Sequence, residues 1–363
     1  MFENVKNFLT AHQRVASFSA IFLGFIVDSL TLPRVDVLWG NILLLFYIVV
    51  AATSIYFINL GYYARTKSAI QERMMPFLPF LIQFSFGALF SGYFIFYARS
   101  ASLGASTIFL LMLVVLLFGN EFFKSRYQRL EFQTSILFLA IFFFAIFYTP
   151  IVMKEIGASV FILSGVVSLL IIGVFLFFVS RALGQAFWSI EKVIFRSILG
   201  VYLFLNILYF TNIIPPIPLS LKESGVYHNL VKTTDGTYLV LSPHHAWYDL
   251  KEIYYPVFKR YQGEPAYFFS AVFSPTDLNT KVLHEWQYFD EEKREWTTTD
   301  RLRMEIIGGR EGGYRGYSMK QSLVPGNYRV NVVTLRGQIL GRTNFSVINV
   351  AEKQNLEMRT LGE

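Results

Sequence analysis

The sequence has no cysteine. That excludes a disulfide framework, a thiolate metal site, a cysteine nucleophile and a redox dithiol. It leaves the compartment open, because a chain without cysteine folds in either redox environment. Charge is scarce as well: Asp, Glu, Lys and Arg make up 16% of the 363 residues, against roughly 25% in a water-soluble chain. Apolar and aromatic side chains take their place, with hydrophobic residues at 54% and 38 Phe. This length alone suggests two or three soluble domains, and the composition excludes that.

The few charges are unevenly spread. Residues 1–214 hold 14 Lys/Arg and 8 Asp/Glu, whereas residues 215–363 hold 18 and 17. The net charge of +7 therefore belongs to short gaps between apolar runs, which disfavours nucleic acid as a partner. About 20 residues of helix cross the hydrocarbon core of a bilayer. Seven runs approach that length: Val15–Leu32, Val37–Ile58, Pro76–Tyr97, Ala105–Phe118, Phe132–Val152, Ala158–Val179 and Val193–Ile214. The first lacks a small-residue cleavage site, so an uncleaved N-terminus is expected.

Lys and Arg in short loops set orientation. With the N-terminus cytoplasmic, 11 Lys/Arg fall inside and 3 outside. Seven crossings then place residues 215–363 outside the cytoplasm, in the periplasm of a Gram-negative host. The expected location is the bacterial inner membrane.

Pro215, Pro216 and Pro218 mark the junction, since proline stops a helix and favours extended backbone. Beyond them, two strands meet at Asp235-Gly236, a hairpin signal. Residues 247–261 place Trp247, Leu250, Tyr254, Val257, Phe258 and Tyr261 at helical spacing, interrupted by Pro256, and read as a short or kinked helix. From Pro265 onward period-two alternation dominates, in six short strands with no intervening helix. The expected fold is a polytopic bundle of seven transmembrane helices (1–214), then a Pro-rich connector, hairpin and short helix (215–264). An antiparallel immunoglobulin-like β-sandwich (265–349) and a polar, frayed tail (350–363) complete it.

The segments FLGFIVDSLTLPRVD (23–37), FSFGALFSGYFIFYARS (84–100), GNEFFKSR (119–126) and PPIPLSLKESGVYH (215–228) carry a family likeness, together with the strands from HEWQYFD to LRGQILGRTNF. They resemble a bacterial multi-span membrane-protein family whose C-terminal module is the domain of unknown function numbered twenty-nine fourteen. The resemblance implies a multi-span region plus a small exported β-domain, and implies no activity.

Four of five histidines, His228, His244, His245 and His284, lie after residue 214. A zinc site with Asp249 or Glu285 is one reading, but no spacing fixes two ligands on one face, so neither a metal nor another cofactor is expected. In KVLHEWQYFD, Val282, His284, Trp286 and Tyr288 share one strand face and Leu283, Glu285, Gln287 and Phe289 the other. Trp286 and His284, helped by Trp296 and Tyr314, would make a stacking platform for sugar rings; the commoner use of such aromatics is core. The Gly-rich stretch from Gly308 to Gly316 matches neither a dinucleotide fingerprint nor a P-loop. It reads as a tight hairpin on which Arg310 and Arg315 could grip a carboxylate or phosphate.

Ionisable groups are few within the spans. Asp28, Arg34, Asp36 and Arg99 fall near the outer ends of the first three and could hold a lipid head group, or simply pair with one another. Asn41, Gln83, Thr107 and Asn206 are the midspan polar residues. The leading expectation is a non-catalytic protein whose exported module binds an envelope glycan or partner protein. A membrane-embedded enzyme acting on a lipid-linked substrate, using Asp28, Arg34, Asp36 and Arg99 with His228 or His284 over them, and a lipid or solute transporter are the alternatives.

Overall fold

The computed structural model describes residues 25–26, 28–30, 32, 37–63, 74–75, 77–100, 106–122, 129–243, 255–275, 279–307 and 313–361. The chain divides at Ile214/Pro215 into a helical unit and a β-rich unit.

The helical unit contains α1 (Leu38–Tyr63), α2 (Leu78–Ser100), α3 (Thr107–Phe122), α4 (Leu130–Met153), α5 (Ala158–Leu183) and α6 (Gln185–Phe210). All of these except α3 are long and apolar enough to cross a membrane, and α3 is a shorter apolar helix. Most of the expected first span, Val15–Leu32, lies outside the described residues, although residues 25–26 and 28–30 are helical. Exposed Leu170, Val174 and Phe178 on α5 give it an apolar outer face, the reverse of a water-soluble helix. Inside, Phe86, Tyr93, Tyr97, Phe109, Phe143 and Phe147 are fully buried. The phenols of Tyr93 and Tyr97 on α2 donate to the carbonyls of Ala140 (2.7 Å) and Phe143 (3.2 Å) on α4. Those contacts advance together along both helices, so α2 and α4 run in the same direction.

Helices α5 and α6 form a hairpin turned on Gly184, whose φ of 56° suits glycine. The last helix thus opens at Gln185, eight residues before the expected Val193. It ends at Phe210, where Asn212 takes φ 59°. The added turns carry Glu191, Lys192 and the exposed Trp188, a composition that suits a membrane interface. Gly165 on α5 faces Tyr202 and Phe142, where a Cβ would come within 2.8 Å and 3.1 Å of the two rings. The missing side chain lets those rings stack at 5.8 Å.

The β unit has eleven strands: β1 (Ser220–Tyr227), β2 (Asn229–Lys232), β3 (Tyr238–Pro243), β4 (Val257–Tyr261), β5 (Ala266–Phe273), β6 (Asn279–Asp290), β7 (Glu295–Ile307), β8 (Tyr314–Lys320), β9 (Gly326–Thr334), β10 (Ile339–Val350) and β11 (Leu356–Leu361). They form three sheets ordered β1-β5-β8, β4-β10-β9-β6-β7 and β11-β3-β2. All pairs are antiparallel except β4 with β10, which is parallel. One face of β5 meets the five-stranded sheet through Phe268 and Ser270. Its other face packs Phe269 and Ala271 with Leu230, Tyr238, Val240 and Leu361 of the third sheet. A strand covered on both faces is apolar throughout, which is why AYFFSAVF is almost continuously buried.

Three expectations change here. Besides the expected hairpin, strands occupy Ser220–Tyr227 and Val257–Tyr261, so the described residues of 215–264 take part in the β architecture. Val257–Tyr261 is strand β4, because Pro256 cannot continue a helix and β10 offers an edge; residues 247–254 lie outside the described residues. The tail is tied down, because Leu356–Leu361 pairs with β3 over its whole length. The hairpin expected at Asp235-Gly236 is present between β2 and β3, with Gly236 at φ 84°.

Candidate functional site

Strand β6 separates two chemistries. Alternate residues of a strand point to opposite faces, so Val282, His284 and Trp286 enter the core and each is 0% exposed. Leu283, Glu285 and Gln287 take the outer face of the five-stranded sheet.

On the core side, His284 Nε2 lies 2.8 Å from Ser270 Oγ on β5 and its Nδ1 2.9 Å from Ser318 Oγ on β8. Trp286 Nε1 donates to the same Ser318 oxygen at 3.0 Å. Phe268 meets the imidazole edge-on, with ring centroids 4.7 Å apart. Burial penalises the charged form of the ring and lowers its pKa to about 3, so His284 is neutral at physiological pH. A neutral imidazole has one N–H and one lone pair, and the two hydroxyls satisfy both in either tautomer. Serine beside histidine has the composition of a nucleophile–base pair. Buried this deeply, the group joins two sheets and offers no surface to a substrate.

The outer face is built in rows. Across β7, β6, β9 and β10 one row reads Arg301, Glu285, Asn331, Arg342, and the next reads Thr298, Gln287, Arg329, Asn344. Arg301 Nε donates to Glu285 Oε2 at 2.8 Å, Arg329 Nε to Gln287 Oε1 at 2.6 Å, and Arg342 Nε to Asn331 Oδ1 at 2.7 Å. Beneath the guanidiniums, Gln287 Nε2 donates to Glu285 Oε1 (2.9 Å) and Asn331 Nδ2 to the same oxygen (3.2 Å). Arg329 also lies over the Trp296 ring, 4.2 Å from its centroid, a favourable cation–π contact. Its pKa is lowered to about 10 by burial first, then by the neighbouring Arg342 charge, with Glu285 opposing. Burial likewise lowers Arg342. Both remain cationic at neutral pH.

A second buried histidine has a different setting. His228 Nδ1 sits 2.6 Å from Glu264 Oε1, and its ring stacks on Phe258 at 4.2 Å. Burial lowers its pKa, although Glu264 pulls upward. His244, His245 and Asp249 lie outside the described residues, among which no group of three or more His, Asp or Glu is arranged to hold a metal ion.

The remaining sequence candidates are scattered. Trp286 and His284 are core, so they do not form an exposed sugar platform; Trp296 is on the outer face under Arg329. Arg310 lies outside the described residues. Arg315, on β8, directs Nη1 to the Gly236 carbonyl at 3.4 Å. In the helical unit, Asp28 Oδ2 accepts from Ser91 Oγ at 2.5 Å and Arg99 Nη2 donates to the Leu32 carbonyl at 3.1 Å. Arg34 and Asp36 lie outside the described residues. Thr107 opens α3 instead of lying midspan. Asn41 and Asn206 donate to carbonyls four residues back, Val37 and Tyr202. The amides that do meet across helices, Asn59 on α1 and Gln133 on α4 at 2.5 Å, went unremarked in the sequence because they sit at span ends. Arg301, Arg329, Asn331 and Arg342 were equally missed. Their alternation is visible in RLRMEI, NYRVNVV and ILGRTNF, but only strand register brings them together.

Residues 279–347, which carry both the core group and the outer rows, match a family model described as "Protein of unknown function (DUF2914)". That match gives the C-terminal region its module and no activity. No curated protein matches the chain. Among solved structures, the Pseudomonas fluorescens alkylpurine DNA glycosylase AlkC, bound to DNA containing an abasic site analog, aligns at 10% identity over 87% of this chain and 99% of that one. The TM-score is 0.22, too low for the alignment to carry any argument about fold or activity.

Proposed function

We propose that this is a non-catalytic polytopic protein of the bacterial inner membrane whose exported β unit binds a cell-envelope component, a glycan or a partner protein. The reading takes seven crossings, with the N-terminus cytoplasmic. Five helices meet the length for a span, and α3 counts as a sixth because α2 and α4 run in the same direction; the chain between them has to return. At 16 residues, α3 is about 24 Å long, within what local bilayer thinning accommodates. The reading assigns the seventh crossing to Val15–Leu32, most of which lies outside the described residues, and the 11 to 3 bias of Lys/Arg supports the orientation. The immunoglobulin-type likeness applies to the five-stranded sheet and its β1-β5-β8 partner, with the β11-β3-β2 sheet as an addition.

The observation that carries the binding role is the outer face of the five-stranded sheet. Its side chains are held in place by one another over amides that are almost fully buried, Gln287 at 9% and Asn331 at 2% exposure. An ordered polar surface costs little entropy when a ligand arrives. The test presents full-length protein in maltoside micelles to immobilised, purified envelope polysaccharides and purified envelope proteins. Saturable retention that falls on substituting Arg329 supports the role. A folded protein retained by neither contradicts it.

A further inference from the structure

The three arginines on the outer face are engaged in an unusual way. Each uses Nε to bond the sheet network: Arg301 to Glu285, Arg329 to Gln287, Arg342 to Asn331. Their terminal nitrogens have no hydrogen-bond partner among the described residues. Arginine–carboxylate pairs are frequently bidentate; here Glu285 is the one carboxylate in the network, and it meets a single Nε of a single arginine. Three positive charges therefore face one negative charge. Elsewhere on this face Lys281 and Glu305 pair with each other at 3.2 Å, and Arg303 on β7 and Lys259 on β4 are further cations, so the excess is not redressed.

Arg329 and Arg342 are also near enough for each to feel the other's charge. They lie on adjacent strands at diagonal positions, Arg342 opposite Asn331 and Arg329 opposite Asn344, a spacing within reach of long side chains. Holding two guanidiniums together costs free energy, and the pKa of Arg329 is lowered by burial first and then by the Arg342 charge. With Nε engaged in this way, Nη1 and Nη2 of each arginine make no bond to the sheet amides among the described residues.

We propose that this face is a binding site for a phosphate monoester dianion, gripped by the terminal nitrogens of Arg329 and Arg342 with Arg301 at its edge. The network's excess of two positive charges matches a dianion, and the non-bridging oxygens of a phosphate accept several N–H bonds where a carboxylate brings one charge and two oxygens. The inference deepens the envelope-binding reading and rests on it only for the compartment. A reversed topology would leave phosphate binding measurable, and a binding failure would leave the topology unchanged.

The test is calorimetric titration of full-length protein in maltoside micelles with inorganic phosphate, short-chain phosphatidic acid and acetate. Binding of phosphate identifies a soluble phosphoryl group as sufficient, and binding of phosphatidic acid alone identifies a lipid head group; both uphold the site. The double variant Arg329→Gln/Arg342→Gln weakens that binding about tenfold or more, whereas Arg359→Gln, on β11, leaves it unchanged. Should the double variant not fold, Arg342→Lys keeps the charge, loses the fork and still weakens binding. Equal affinity for acetate, undiminished binding in the arginine variants, or no saturable binding of either phosphate probe overturns the proposal.

Discussion

In the helical unit, most buried polar side chains with a known acceptor turn back on their own helix; in the β unit they reach other strands. Ser164, Ser168 and Asn206 each donate to a carbonyl four residues earlier. Such bonds satisfy the side chain without specifying a neighbour. Carbonyls in a sheet are already committed to the ladder, so His284, Trp286, Ser270 and Ser318 must satisfy one another, as must Glu285, Gln287, Asn331 and the arginines. The β networks therefore depend on register, and a slip of one residue would exchange core and surface groups. Helix packing relies instead on ring contacts and on close approach at Gly165. The exceptions include the Tyr93 and Tyr97 phenols, which donate to α4 carbonyls, and the Asn59–Gln133 pair, which ties the end of α1 to the start of α4.

The comparison breaks most visibly at Trp286. It is fully buried, so Trp286→Ala should lose about 3–5 kcal/mol, read as a lower denaturant midpoint for the β unit's near-UV signal with the helical signal unchanged. The next effect is pH dependence. His284 titrates near 6.5 unfolded and about 3 folded, so below pH 6.5 the unfolded chain binds the extra proton. Its contribution is fully present above 6.5 and is lost as pH falls towards 3, at up to about 1.4 kcal/mol per unit. His284→Gln should flatten that slope, measured as Tm against pH.

Smaller effects sharpen the contrast. Asn59→Leu removes the hydrogen bond between α1 and α4 and should cost about 1–2 kcal/mol, read as a lower unfolding midpoint in mixed micelles. Lys281→Ala removes an ion pair whose members are 44% and 70% exposed. That change should stay below about 0.5 kcal/mol in the same assay.

Much of the architecture was legible in the chain. Apolar runs of about 20 residues gave the helices because a helix satisfies its own backbone in lipid, and Asp235-Gly236 gave its hairpin. Less legible were features decided by tertiary context. The segment Gln185–Lys192 carries polar residues that hide a helix start from a hydropathy reading. Val257, Phe258 and Tyr261 fit helical spacing as well as strand spacing, and β10 decides between them. Leu356–Leu361 looks like a polar tail because Glu357, Met358, Arg359 and Thr360 are all exposed on this edge strand. For the site, the sequence placed Glu285 and Gln287 on the face opposite His284 and Trp286. It favoured the Trp286 face as core, but could not align Arg329 and Arg342 with Glu285 and Gln287, because registers between strands 40 and more residues apart leave no local trace.

The central claim is that the β unit faces away from the cytoplasm, and a reporter joined after Glu363 tests it most directly. Alkaline phosphatase should be active there and a fluorescent protein that folds only in the cytoplasm should stay dark. A bright fluorescent fusion with an inactive phosphatase would contradict the account, because it would require an even number of crossings.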